Sequence, residues 1–66
     1  MKLKEIRKKK GITQKELAKK VGLKQSTISG YEIGNSIMNV DTLLKVIDIL
    51  DCSADELLGI EKKKQD

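Results

Sequence analysis

Residues 13–29 constrain this chain more than any other stretch. Thr13 stands three positions before Glu16, the spacing of a capping box that starts a helix. Leu17, Ala18 and Val21 then fall on one face of that helix, and Gly22 ends it. Leu23 plugs the corner and Ile28 anchors a second short helix at a fixed angle to the first. The second helix turns Gln25, Ser26 and Ser29 to water. Short side chains that both donate and accept hydrogen bonds suit the edges of DNA bases better than they suit catalysis.

Composition narrows the remainder. Sixty-six residues make one small domain, which buries only about 60% of its unfolded surface. Tyr31 is the single aromatic residue, so Ile, Leu, Val and Ala must fill the core. Proline is absent and no segment alternates apolar with polar residues, which predicts an all-α fold. Cys52 is the only cysteine, so no disulfide can form within the chain, and the reading favours a reducing cytoplasm. No apolar run approaches the roughly 20 residues that span a bilayer, so no membrane role is expected. An enzyme is excluded on inventory: there is no histidine, no zinc-ligand cluster and no glycine-rich phosphate loop. No cofactor, metal or small-molecule ligand is expected either.

The net charge of +4 hides a strong asymmetry. Residues 1–24 hold ten basic side chains against Glu5 and Glu16, a balance of +8. Residues 25–61 hold Lys45 against seven acids, a balance of −6, and residues 62–66 add +2. Such halves suit a polyanion on one side and something else on the other. Lys8, Lys9 and Lys10 read as a solvated face that adds to the field rather than as specific contacts.

The chain divides into five predicted helices. The first covers residues 2–10, with Leu3 and Ile6 inward and Gly11 as its stop. The second opens at Thr13 and closes at Gly22. The third covers 25–33 and stops at Gly34; Lys24, at its N-cap, offers no acceptor for free N–H groups. The fourth covers 40–50, capped by Asn39, with Val40, Leu43, Leu44, Ile47 and Leu50 as the inward stripe and Val46 beside it. Ile49 is expected to point away. The fifth opens at Ser53 with Glu56 as its capping partner and ends at Gly59, with Leu57 and Ile60 folding back on the core. Residues 1–60 form the domain, and 61–66 form a charged, frayed tail.

Several blocks in this order resemble a known family. They are Thr13-Gln14-x-Glu16-Leu17-Ala18, Val21-Gly22, Ser26-Thr27-Ile28-Ser29, Tyr31-Glu32-x-Gly34, Asp41-Thr42-Leu43-Leu44 and Ser53-Ala54-Asp55-Glu56-Leu57-Leu58. The chain resembles the lambda-repressor-like, Cro-type (XRE family) helix-turn-helix domains. The resemblance implies a compact five-helix bundle with the third helix in the DNA major groove and the second across the phosphate backbone. It implies that Gln14 bonds a phosphate, that Lys24, Gln25, Ser26 and Ser29 face the bases, and that Asn35 and Ser36 touch the backbone again. It further implies a partly buried ion pair between Arg7 and Glu32. Four residues depart from the family pattern: Gly30 replaces a long polar side chain, Ile33 an asparagine, Met38 a proline, and Asp51 a helix-closing glycine.

The implied function is that of a transcriptional regulator, a repressor reading a pseudo-palindromic operator as a homodimer. Ile37, Met38, Ile49, Leu58 and Ile60 are apolar residues left over from the core and are expected to form the dimer contact. Two alternatives stand beside it: an antitoxin-type protein-interaction module that also binds DNA, and the DNA-binding fragment of a longer phage-type repressor.

Overall fold

The computed structural model describes residues 1–59, and Ile60 and the 61–66 tail lie outside the described residues. It is all-helical: α1 (Leu3–Lys9), α2 (Gln14–Val21), α3 (Gln25–Ile33), α4 (Val40–Leu50) and α5 (Ala54–Leu58). Among the described residues there is no strand, and no helix is long and apolar enough to cross a membrane.

The helix boundaries follow from local chemistry. Thr13 accepts from the Glu16 N–H while the Glu16 carboxylate takes the Thr13 N–H, and Ser53 and Glu56 repeat this at α5. Asn39 accepts from the Thr42 N–H at 2.8 Å and starts α4. Each such cap satisfies donors that a helix leaves free at its first turn, at about 1 kcal/mol per cap. Lys24 starts α3 from an extended backbone without a side-chain cap. Gly22 closes α2 in the left-handed region, and the turn it makes lets the Leu23 N–H return to the Ala18 carbonyl. Asp51 closes α4 in the same region at φ 51°, without glycine's freedom.

Leu3, Leu17, Ile28, Val46, Leu50 and Leu57 are fully buried, joined by Ala18 and Val21. Every helix contributes to this core, each large side chain adding about 1.5–3 kcal/mol of burial. α2 packs on α3 and α4, while α1 packs on α3 and α5. The Lys2 N–H donates to the Leu57 carbonyl at 2.7 Å, which ties the two ends of the domain together.

α4 sits differently from the expected stripe. Val46 and Leu50 are fully buried, and Leu43, Ile47 and Ile49 pack against the core. Val40 and Leu44 face water at 68% and 55% exposure. Ile49 therefore does not point away. Seven of eleven residues in α4 are apolar, so a 3.6-residue period cannot fix the buried face. Packing against α2 and α5 chooses the face around Val46, which rotates Val40 and Leu44 outward.

Candidate nucleic-acid interface

α2 and α3 meet across the Gly22 turn, with Leu17, Ala18, Val21 and Ile28 buried in their shared interior. This packing fixes the outer face of α3 against α2. Lys24, Gln25 and Ser26 are exposed at the start of α3, and Ser29 is half-buried one turn later. The Thr27 N–H turns back to the Lys24 carbonyl at 3.0 Å, while the Gln25 and Ser26 N–H groups receive no side-chain cap, so the end that carries Gln25 is rich in donors. Lys15, Lys19 and Lys20 are exposed on α2, the helix that packs on α3. At the far end of α3, the Asn35 and Ser36 N–H groups both reach the Gly30 carbonyl, at 2.9 and 3.3 Å. Asn35 and Ser36 are exposed there. A methyl group on Gly30 would lie 3.1 Å from Ser36 Oγ, so the missing side chain lets this loop close over α3.

Beneath this surface runs a polar chain. Arg7 Nε donates to Glu32 Oε2 at 2.7 Å, and Nη2 donates to Oε1 at 3.3 Å. Arg7 Nη1 donates to the Ile12 carbonyl at 2.8 Å, which pins the guanidinium from its other edge. Only 8% of the Arg7 side chain and 2% of the Glu32 side chain are exposed. Gln14 Nε2 donates to Glu32 Oε1 at 2.8 Å, and Gln25 Nε2 donates to Gln14 Oε1 at 3.4 Å. The chain thus links α1, α2 and α3, and ends on an exposed side chain. Burial pushes the Glu32 carboxyl upward, but hydrogen bonds from Arg7 and Gln14, with the charges of Arg7 and Lys4, outweigh it and hold Glu32 below the ordinary glutamate range. No buried side-chain nitrogen or oxygen among the described residues lacks a partner.

The five residues expected at a dimer contact separate into three groups. Ile37 and Leu58 are exposed, at 97% and 42%. Met38 and Ile49 are half-buried against the chain's own core, and Ile60 lies outside the described residues. Sequence reasoning missed Val40 and Leu44 as exposed apolar side chains, and missed the bonds from Gln14 to Glu32 and Gln25. Those bonds cross between helices, and no local spacing encodes them. Cys52 packs between α4 and α5, where burial, and then the nearby Glu56 charge, push its thiol up and away from reactivity. Among the described residues no cluster of His, Cys, Asp or Glu is arranged to hold a metal.

Comparison with known proteins agrees with this geometry. A helix-turn-helix family model matches residues 3–57. The HTH-type transcriptional regulator AnsR of Bacillus subtilis (strain 168) is 41% identical over 63 residues, covering 96% of this chain and 54% of that protein. The HTH-type transcriptional regulator ImmR of the same organism is 41% identical over 66 residues, covering 96% and 52%. Antitoxin HipB of Escherichia coli (strain K12) is 41% identical over 51 residues, covering 77% and 58%. The chain spans about half the length of these relatives. Helix order, the turn at Gly22 and these matches agree: the chain belongs to the XRE-type helix-turn-helix family.

Proposed function

We propose that this chain is a sequence-specific double-stranded DNA-binding transcriptional regulator, acting as a repressor in the cytoplasm. The observation that carries the reading is the donor-rich start of α3, where exposed Lys24, Gln25 and Ser26 stand on a helix locked against lysine-rich α2. On this reading α3 enters the major groove, where Gln25 pairs with adenine and Lys24 donates to guanine or a phosphate, with Ser26 and Ser29 completing the base-facing set. Gln14, at the start of α2, clamps a phosphate through its remaining amide N–H, aided by the helix N-terminus, and Asn35 and Ser36 clamp another.

Two copies reading half-sites about 34 Å apart supply the surface that one small reader lacks. Ile37 and Leu58 are the residues of the expected dimer contact that remain exposed, and Ile60 is retained with them. Met38 and Ile49 support that contact from beneath, and exposed Val40 and Leu44 extend the apolar surface available to it. The similarity to antitoxin HipB supports a second reading, in which the chain also binds a toxin. Selection from a random duplex pool tests the first reading. Recovery of a pseudo-palindrome with half-sites one turn apart is the expected result. An unenriched pool, with a small protein co-purifying instead, would favour the second.

A further inference from the structure

We infer that Glu32 is a positioning residue that sets the hydrogen-bond polarity of Gln25, and so decides which purine Gln25 accepts. The inference rests on the DNA-reading role proposed for Gln25. An ionised carboxylate only accepts hydrogen bonds. Glu32 Oε1, held by Arg7 Nη2, faces Gln14 at 2.8 Å, so Gln14 must turn its amide nitrogen inward. Its carbonyl oxygen then faces outward, where it takes one N–H of Gln25 at 3.4 Å. Gln25 is left with one N–H and one carbonyl oxygen for a base.

That remaining pair matches adenine, whose major-groove edge offers the N7 acceptor and the N6 donor. It does not match guanine, which offers the two acceptors N7 and O6. Reversing the Gln14 amide would free both N–H groups of Gln25 and admit guanine. The lock is rigid because Arg7 is held from both sides, by Glu32 and by the Ile12 carbonyl, and because both charged side chains are buried. Despite burial, hydrogen bonds from Arg7 and Gln14, and then the charges of Arg7 and Lys4, hold Glu32 below the ordinary glutamate range, so it is ionised at neutral pH.

The test uses the full chain and a duplex pair differing only at the base read by Gln25, A·T against G·C. The wild type should favour A·T about tenfold or more, and Glu32→Gln should bring that ratio within about threefold while leaving preference elsewhere in the site unchanged. Glutamine at position 32 can donate or accept, so it releases the lock. Uniform weakening on every duplex, with the A·T preference kept, would show a merely structural role and overturn the inference while sparing the DNA-reading proposal. A wild type that discriminates between no duplexes would instead overturn the proposed function. Nuclear magnetic resonance of the wild type covers the case where Glu32→Gln does not fold. On acid titration the side-chain amides of Gln14 and Gln25 should shift with the midpoint of the Glu32 carboxyl. Amides that do not follow it would overturn the lock.

Discussion

Replacing Arg7 with alanine leaves the Glu32 carboxylate with one neutral donor, Gln14, where it now has two charge-assisted bonds as well. It also strips the Ile12 carbonyl of its partner. Breaking a buried pair in this way costs about 3–5 kcal/mol. The Glu32 side chain is 2% exposed, but the layer covering it in so small a domain is thin, which favours the lower end, about 3 kcal/mol. A domain of this size has a total stability of only about 3–10 kcal/mol, so Arg7→Ala should lower the melting temperature by roughly 12–24 °C. Thermal unfolding followed by circular dichroism reads this directly. Lys8→Ala is the control: Lys8 is exposed, and its removal should change stability by less than about 0.5 kcal/mol. Replacing both partners, as Arg7→Met with Glu32→Leu, removes the stranded charge and should recover most of the loss. A melting temperature for Arg7→Ala within about 4 °C of wild type would refute the view that this pair is buried and structural.

Three further outcomes follow from the same geometry. Asp51 holds a left-handed conformation at the C-terminus of α4, where its charge also opposes the helix dipole, so Asp51→Gly should stabilise by about 1 kcal/mol; a lowered melting temperature would contradict this. Because folding lowers the Glu32 pKa, the stability it contributes is complete above the unfolded value of about 4.3 and is lost as pH falls through the folded value, so stability against pH should decline more gently in Glu32→Gln below that point. With about five phosphates met per dimer, log K for the selected duplex should fall against log[salt] with a slope of roughly −4 to −5, and a flat response would remove the lysine-rich half from the interface.

Legibility in the sequence tracked how local each signal was. The caps at Thr13, Asn39 and Ser53 and the stops at Gly22, Gly34 and Gly59 are settled within one helical turn, and their positions could be read from residue types alone. The face of α4 could not, since apolar residues surround most of that helix and only its neighbours choose among them. The same holds for Ile49, whose place off the apolar stripe predicts an outward face but which is half-buried against the core. The residues on the outer face of α3 were visible as a polar set. Their coupling was not, because the contacts among Glu32, Gln14 and Gln25 are set by how α2 and α3 pack. In sequence Gly30 stands only as a departure from a long polar side chain, whereas in three dimensions it makes room for Ser36.

The central claim is that the start of α3, backed by the start of α2, is the surface that meets DNA. Backbone amide shifts of the labelled chain, followed as the selected duplex is added, test it most directly. The account predicts the largest changes at Gln14 and Lys15 and from Lys24 through Ser29, with smaller ones at Asn35 and Ser36. Shifts concentrated instead on α4 and α5, with the start of α3 unmoved, would contradict it.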